Sequence, residues 1–335
     1  MNLPNGKGIF IWEGGNCAKG DLTQTVAACQ AAGLSWVALK IGDADNEWSR
    51  SYTDMAGAVN AFKAAGLRVW IWHYIYGGVW MDKAGNVVYT NGPTPEAEAA
   101  FALRNIQALQ PDGYIIDAEK EFKAWHQAAR AGRFMAALGH PVPIALADYR
   151  FPNLHPEFPF GNFLAGCDLH MPQMYWQPGG AVSEMDECAK ELRGQRDIPI
   201  IPIGRCYIGD GNANPTPGEI NAFLGEAKRL GCGGVSFWAL DFVYLHPGGT
   251  QRMQAIQNFG WEGGTATVPP SPAPVANSSI FKTSMALWIL TGPGNQYKAS
   301  GSLGPGLLVQ VVDIQNGYAM LKNGGWVAEK GLTPA

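Results

Sequence analysis

Residues 113–119 read Gly113-Tyr-Ile-Ile-Asp117-Ala-Glu119, a short apolar run that ends in two acids. Seven further runs of similar length recur over the first 260 or so residues, separated by segments of helical length. They are GIFIW (8–12), SWVALKI (35–41), RVWIWHY (68–74), VPIALAD (142–148), DLHMPQMYW (168–176), IPIIPIGR (198–205) and GVSFWALD (234–241). Nearly continuous apolar runs are typical of strands that are buried on both faces of a parallel sheet.

The segments between the runs favour helices. One example is the amphipathic stretch TPEAEAAFALRNIQAL (94–109), and several such segments end in glycine, as helix C-termini often do: Gly33, Gly66, Gly139 and Gly231. Eight strand–helix units in about 260 residues match the count and length of a (β/α)8 barrel. A doubly wound sheet is the alternative, but it gives no reason for eight units, and no GxGxxG motif follows the first run. We therefore predict an α/β fold, a TIM-type (β/α)8 barrel.

A change of composition divides the chain after Trp261. Residues 263–279, GGTATVPPSPAPVANSS, carry no charge and have the composition of a semi-extended spacer. We predict a barrel over residues 1–262, a Pro-rich linker over 263–279 and a small all-β domain over 280–335. The formal charge of the last domain is +2, which leaves −6 on the barrel out of the total of −4.

The overall composition excludes several classes of function. A net charge of −4 argues against nucleic acid as the main partner. No apolar stretch approaches the roughly 18 residues that a membrane helix needs, and the N-terminus lacks the pattern of a secretory signal. The six cysteines, Cys17, Cys29, Cys167, Cys188, Cys206 and Cys232, include no CxxC pair and predict buried, reduced thiols. Because the histidines show no ligand spacing either, we expect no metal and no cofactor.

Active sites of (β/α)8 barrels lie at the C-terminal ends of the strands. Residues at those positions here are mostly acids, amides and rings, which suit a neutral, hydroxyl-rich substrate better than a phosphorylated one. The candidates are Trp12, Glu13, Lys40, Trp72, Tyr74, Asp117, Glu119, Asp148, Gln173, Tyr175, Arg205, Trp238 and Asp241. Asp43, His73 and Trp176 lie at strand ends as well, and we expect His73 to be a core histidine.

Asp117 and Glu119 are the candidate catalytic residues. Side chains at positions i and i+2 of a strand face the same way, about 6 to 7 Å apart at the backbone. Burial and mutual repulsion raise carboxyl pKa values, so that one carboxyl remains protonated while its neighbour is anionic. Cleavage of an acetal needs this combination of an acid and an anion. The alternative is a strand end whose acids are neutralised by Lys40, Arg205 or backbone amides.

The other candidates each have two interpretations. The hydroxyl of Tyr175 would hydrogen-bond a substrate carbonyl, or its ring would be part of the barrel rim. Trp238 would form the floor of a sugar subsite or belong to the core. Asp148 and Asp241 would orient substrate hydroxyls, or they would cap the loops and helices that follow.

The barrel resembles the glycoside hydrolase family 25 muramidases and their barrel relatives, which include the family 18 chitinases. The parallels, in chain order, are GIFIW (8–12), WVALKIGDAD (36–45), VWIWHYIY (69–76), GYIIDAE (113–119) and MPQMYW (171–176). The resemblance implies that Glu119 is the proton donor. It also implies that Asp117 assists the substrate's N-acetyl group or stabilises the intermediate, with Tyr175 as a helper.

Two departures from those families point to a separate branch of the same superfamily. Family 25 has an Asp in a strand-one motif Gly-x-Asp-x-Ser, whereas this chain reads Gly8-Ile-Phe10-Ile-Trp12, and the nearest acid is Glu13. Strand four also lacks the full DxxDxDxE pattern of the chitinases.

The C-terminal region resembles bacterial SH3-like domains. The stretch ALWILTGPGNQYKASGSLGPGLLVQVVDIQNGYAMLKNGGWVAEKGL (286–332) carries that family's pattern at Gly292, Pro293, Gly294, Tyr297, Gly306, Gly317, Trp326 and Val327. Where the family often has Asn-Val-Arg, this chain has Trp288-Ile-Leu290. The resemblance implies a module that binds cell-wall peptidoglycan.

Taken together, the two regions predict a monomeric lysin of the phage type, made in the host cytoplasm without a signal peptide and acting on the wall. Its expected activity is that of a muramidase-like glycosidase. Two alternatives stay open at this stage: a chitinase-like or endo-N-acetylglucosaminidase activity, and a non-catalytic wall-binding protein.

Overall fold

The computed structural model describes residues 3–82, 84–89, 92–124, 126–209, 214–261, 279–290, 294, 297–315, 317–321 and 325–334. The chain divides into two compact units, Met1–Thr267 and Val268–Ala335. The predicted linker over 263–279 lies outside the described residues, apart from Ser279.

A closed parallel cylinder forms the first unit. Its strands in chain order are β1 (Gly6–Ile11), β2 (Trp36–Asp43), β3 (Asn46–Glu47), β4 (Arg68–Ile75), β5 (Trp80–Met81), β6 (Val87–Tyr89), β7 (Gly113–Ala118), β8 (Ile144–Tyr149), β9 (Leu169–Met174), β10 (Ile203–Arg205) and β11 (Gly234–Trp238). Eight of them pair side by side in the order β1-β2-β4-β7-β8-β9-β10-β11, and β11 pairs with β1 to close the barrel. The short strands β3, β5 and β6 belong to loops at the barrel mouth.

The predicted (β/α)8 barrel is therefore confirmed, and each of the eight predicted runs overlaps one barrel strand. The seventh barrel strand, β10, covers only Ile203–Arg205 and is much shorter than the predicted run of residues 198–205. Pro199 and Pro202 lie within that run, and a proline has no N–H to donate to a neighbouring strand.

Helices pack around the cylinder: α1 (Leu22–Ala31), α2 (Met55–Ala64), α3 (Pro95–Leu109), α4 (Gln127–Leu138), α5 (Phe160–Leu164), α6 (Ser183–Gln195), α7 (Pro217–Arg229), α8 (Leu240–Leu245) and α9 (Gly249–Asn258). The four glycines that were predicted to end helices all have positive φ angles, between 62° and 81°. All six cysteines are buried and free, as predicted. None of the helices in the described ranges has the length and apolar character needed to cross a membrane.

The second unit is a separate antiparallel sheet, which agrees with the predicted all-β domain. Its strands are β12 (Ser279–Thr283), β13 (Leu287–Leu290), β14 (Ala299–Leu303), β15 (Leu308–Gln315), β16 (Tyr318–Leu321), β17 (Trp326–Ala328) and β18 (Leu332–Pro334). They pair in the order β14-β13-β17-β16-β15-β12-β18 around a small core centred on Leu287, Val311 and Val327. Gly292 and Pro293, two positions of the SH3-like pattern, lie outside the described residues.

A buried lysine connects the first barrel strand to the last helix of the unit. Lys7, on β1, is only 4% exposed, and its ammonium donates to the carbonyl oxygens of Ile256 (2.6 Å), Gln257 (3.3 Å) and Phe259 (2.9 Å) at the end of α9. These are carbonyls that a helix terminus leaves without partners, and a cation is favoured there by the helix dipole.

We predict that Lys7→Met lowers the free energy of unfolding of the barrel by about 2 kcal/mol, because buried carbonyls lose a charged donor. Urea unfolding followed by tryptophan fluorescence measures the change. The control is Lys190→Met, at an exposed position on α6, which should shift the midpoint little. Equal midpoints for the two variants would contradict this role of Lys7.

Candidate active site

The ends of the barrel strands surround a cavity of about 260 Å³. Its lining residues are Trp12, Lys40, Trp72, Tyr74, Asp117, Glu119, Gln173, Tyr175 and Trp238. The sequence analysis placed all nine at strand ends, and the cylinder brings them together although they come from six different strands or the loops directly after them.

The two acids of strand β7 converge on a single amide. Asp117 lies within β7 and Glu119 directly follows the strand. The Nε2 atom of Gln173, on β9, donates to Glu119 Oε1 at 2.7 Å and lies 3.4 Å from Asp117 Oδ1. Lys40 forms its ion pair with Asp43 (2.7 Å). The acid pair therefore faces the cavity, with an amide as its shared partner.

The environment of the pair makes both acids weaker. Burial, and then the charge of Glu119, raises the pKa of Asp117 well above its ordinary value, although the Lys40 ammonium acts in the opposite direction. Burial also raises the pKa of Glu119, while the hydrogen bond from Gln173 lowers it. Because the two groups interact strongly, they titrate as a pair that keeps a proton at a pH where an isolated carboxyl has lost it.

A third carboxyl supports the site and was missed by the sequence analysis. Glu121 is only 2% exposed, and its Oε2 atom accepts a hydrogen bond of 2.6 Å from the hydroxyl of Tyr74, a residue of the cavity wall. The charge of Glu121 contributes to the raised pKa of Glu119. The acids at 117, 119 and 121 are spaced by two residues, as side chains on one face of a strand would be, and this spacing could have pointed to Glu121. The strand itself ends at Ala118, and Glu121 lies in a 3-10 turn.

Aromatic rings form much of the cavity wall. The rings of Trp72 and Trp238 meet edge to face with centroids 5.2 Å apart, and Trp12 lies 6.1 Å from Trp238. The Lys40 ammonium lies 4.8 Å from the centre of the Trp72 ring. Burial raises the pKa of Tyr175 well above its ordinary value, so its hydroxyl remains a hydrogen-bond donor.

Two of the predicted substrate-binding residues, Asp148 and Asp241, lie outside this cavity, so their prediction was wrong. On β8, Ala145 and Ala147 face the barrel interior, so Asp148 points to the helices, where its carboxylate contacts His170 Nε2 at 2.5 Å. Asp241 is buried in α8 and accepts the backbone N–H of Trp12, in the loop after β1, at 3.0 Å, so it neither lines the cavity nor caps its own helix.

Glu13 and Arg205 also lie outside the cavity. The carboxylate of Glu13 pairs with Arg50 at 2.7 Å, away from the acid pair. The guanidinium of Arg205 is buried, lies 5.1 Å from the centre of the Tyr207 ring and donates to the carbonyl oxygen of Tyr175 at 3.3 Å. Both charges thus interact with the loops of the barrel mouth instead of lining the site.

His73 is a core histidine, as expected. Its ring is fully buried, Nδ1 lies 2.7 Å from the Tyr114 hydroxyl, and burial lowers its pKa to about 3. In the described ranges no group of three or more His, Cys, Asp or Glu side chains is arranged to hold a metal ion.

Comparison with known proteins identifies solved structures with the same fold but no family to which this chain belongs. Neither the known family profiles nor the curated protein sequences contain a match to this chain. Among solved structures, a GH113 β-1,4-mannanase is similar over 77% of this chain and 100% of its own length, with a TM-score of 0.55 and 12% identity. A chitinase domain from Pyrococcus furiosus is similar over 71% of this chain and 85% of its own length, with a TM-score of 0.53 and 15% identity.

The spore cortex-lytic enzyme SleL of Bacillus megaterium is similar as well. The alignment covers 78% of this chain and 75% of that one, with a TM-score of 0.50 and 11% identity. The protein therefore has a (β/α)8 fold of the kind found in these glycoside hydrolases. In this chain, that fold carries paired carboxyls at the end of its fourth barrel strand.

We predict that Gln173→Leu raises the apparent pKa of the Asp117–Glu119 pair by about one unit, the equivalent of one hydrogen bond to a charged group. The pKa should rise because the Gln173 amide stabilises the ionised form of Glu119, and leucine cannot do so. Carbon-13 NMR titration of the carboxyl groups measures it. Gln177→Leu, at an exposed position, is the matched control. An unchanged titration of the pair in Gln173→Leu would show that the amide does not govern its ionisation.

Proposed function

We propose that the protein is a glycoside hydrolase that cleaves β-1,4 bonds in the N-acetylated glycan of bacterial peptidoglycan. The observation that carries the proposal is the pair of carboxyls of buried Asp117 and partly buried Glu119, which share the Gln173 amide in an aromatic-walled cavity. A carboxyl that stays protonated next to a second carboxyl is what acetal cleavage requires. The fold that this chain shares with glycoside hydrolases is consistent with that chemistry.

In the proposed reaction Glu119 is the general acid. Its proton passes to the glycosidic oxygen while the bond from that oxygen to the anomeric carbon breaks. The carbonyl oxygen of the substrate's own N-acetyl group attacks the anomeric carbon and gives a cyclic intermediate. Water then adds to the anomeric carbon, and the Glu119 carboxylate takes up the proton that this water releases.

Asp117 and Tyr175 would assist the N-acetyl group. Asp117 carries the more strongly raised pKa and lies next to Glu119, so the proton that the two carboxyls share can pass to Glu119, and the Asp117 carboxylate then stabilises the positive charge that develops on the amide. The Tyr175 hydroxyl lines the same cavity and is a donor at neutral pH. Trp238, which is partly exposed and packs on the buried Trp72, provides an apolar surface against which a pyranose ring can pack.

The second unit is proposed to be an SH3-like module that binds the wall and so raises the local concentration of substrate. Its sheet leaves large apolar side chains in solvent, with Trp288 69% and Leu308 68% exposed. Such rings and aliphatic chains suit an interaction surface. In this proposal the protein is a lysin of the phage type that acts on the wall after synthesis in the host cytoplasm.

A second candidate function is a chitinase-like or endo-N-acetylglucosaminidase activity. At the position of the family 25 strand-one acid the chain has Phe10, whose ring packs on Trp72 and Trp238 at 5.7 Å, so β7 supplies the acids of this cavity. The Asp-x-Glu of β7 is also part of the chitinase pattern. Digestion of purified peptidoglycan, followed by mass spectrometry of the fragments, separates the two: muramic acid at the new reducing ends supports the muramidase, and glucosamine supports the second candidate.

We predict that Glu119→Gln lowers kcat by at least about a thousandfold, because the amide keeps the size of the side chain but has no acidic proton to transfer. Release of reducing sugar from peptidoglycan is the readout, and circular dichroism checks the fold. Asp148→Asn, whose carboxyl faces the helices, is the comparison variant and should retain activity wherever it folds. Turnover within a few-fold of the parent for Glu119→Gln would refute this assignment. If the parent chain binds walls but releases no sugar, the protein is a wall-binding protein only.

Deletion of residues 268–335, the second compact unit, is predicted to weaken sedimentation with purified cell walls by about tenfold or more, because the tether is lost. Cleavage of soluble oligosaccharides should change by less than about twofold, since the catalytic pair lies in the first unit. Equal loss of both properties would mean that the second unit stabilises the barrel instead.

A further inference from the structure

A second, larger cavity lies at the barrel mouth and is not part of the acid-bearing site. Its volume is about 410 Å³, within the range of small-molecule sites. It is formed by the loops after β2 and β4, with Asp43, Ala44, Asn46, Glu47, Trp48, Ser49, Tyr76, Val79, Trp80, Gly92 and Pro93 as lining residues. The predicted candidates do not include its three rings, Trp48, Tyr76 and Trp80.

Contacts between wall residues join this cavity to the one that holds Asp117 and Glu119. Trp48 stacks on Trp12 of the acid-bearing cavity at 6.0 Å and donates from Nε1 to the Trp12 carbonyl oxygen at 2.8 Å. Tyr76 lies 4.9 Å, ring centre to ring centre, from Tyr74. The two cavities are therefore neighbours that share a wall of rings.

An ion pair stands in that wall. Lys40 of the acid-bearing cavity and Asp43 of the second cavity are 2.7 Å apart, and the Lys40 ammonium lies 4.0 Å from the centre of the Trp48 ring. One continuous ligand that passes this pair would meet charged, hydrogen-bonding groups between two aromatic surfaces.

The second cavity has an aromatic side and a polar rim. Tyr76 and Trp80 stack with centroids 5.0 Å apart at an angle of 17°, and Trp80 is 48% exposed, which is high for so large an apolar side chain. The polar groups of the cavity come from Asn46, Glu47 and Ser49, which are exposed. A flat apolar ring beside carboxylate, amide and hydroxyl groups matches a pyranose, which has an apolar C–H face and a rim of hydroxyls.

The loop that presents Trp80 is tied to the catalytic strand. Trp80 begins the hairpin of β5 and β6, and Asp82 closes its turn by accepting the N–H groups of Ala84 and Asn86. Lys120, next to Glu119 in the chain, donates to the carbonyl oxygens of Met81 and Asp82 at 3.3 and 3.0 Å. The ring of Trp80 is thus positioned relative to the acid pair.

From these observations we infer that the second cavity is a subsite for a neutral pyranose unit of the same glycan strand that the acid pair cleaves. The inference rests on the proposed function and extends it: the enzyme would act within long strands, and Trp80 would determine a preference for substrate length. The acids Asp43 and Glu47 disfavour an anionic group in this place, so a neutral N-acetylhexosamine fits better than a peptide carboxylate.

The test compares Trp80→Ala with the parent on β-1,4-linked N-acetylglucosamine oligomers of two to six units, using the full-length protein. For the hexamer we expect kcat/KM to fall about tenfold, the loss of one aromatic contact. For the shortest oligomer that the parent cleaves, it should stay within about twofold, because such a substrate fills the acid-bearing cavity alone. Trp80→Phe, which keeps a ring, should recover most of the loss. Tyr244→Ala, at another exposed ring of the barrel unit, is the matched control.

Equal losses for short and long oligomers, or no loss for either, would overturn the subsite. A parent that cleaves neither peptidoglycan nor any oligomer would instead count against the proposed function; one that cleaves only peptidoglycan would count against the chitinase-like candidate, and in both cases binding tests the subsite independently. Calorimetry with Glu119→Gln and the hexamer should give about tenfold weaker binding when Trp80→Ala is added, with binding of the dimer unchanged. The same affinity in both backgrounds would overturn the subsite regardless of catalysis.

Discussion

Two carboxyl groups, one buried and one partly buried, lie side by side at the end of a strand, and the arrangement of the site follows from the free energy that this costs. Ionising both would place two like charges in a poorly solvated cavity, so the pair holds a proton instead. Gln173 offers a single amide donor to both acids, which stabilises the one negative charge of the pair without removing the pair's proton. A full cation in that position would have held both acids ionised. Lys40 is nearby but is bound by Asp43.

The barrel makes this arrangement possible because its strands share one direction and one register. Asp117 of β7 pairs with Tyr74 of β4 and with Ala147 of β8. The hydroxyl of Tyr74 in turn donates a hydrogen bond to Glu121, which links this third acid to the wall of the site. Small side chains at Ala145 and Ala147 leave room inside the cylinder where larger ones would fill it. The acids are thus held by residues that also form the core.

The sequence predicted the elements well because buried strands have a simple pattern. Each apolar run became a barrel strand, and the position of the acids after the run at 113–116 placed them at the mouth. Prediction failed where the direction of a side chain mattered. Asp148 ends an apolar run just as Asp117 does, but the alternation of its strand turns it toward the helices, and the start of that alternation depends on packing with neighbouring strands.

The loops were the least predictable part, and they hold the second cavity. Trp48, Tyr76 and Trp80 have no periodic pattern, and only the paths of the chain after β2 and β4 bring their rings together. The same lysine contacts a ring in each cavity, Trp72 in one and Trp48 in the other, and it forms its ion pair with Asp43. Its charge also acts on Asp117, where it opposes the rise in pKa that burial causes. Lys40 therefore stands between the two cavities and contacts both. A ligand that spans both cavities would displace water from the Lys40–Asp43 ion pair. Because water screens that pair's charges, the ionisation of Asp117 and Glu119 would then depend on the length of the ligand.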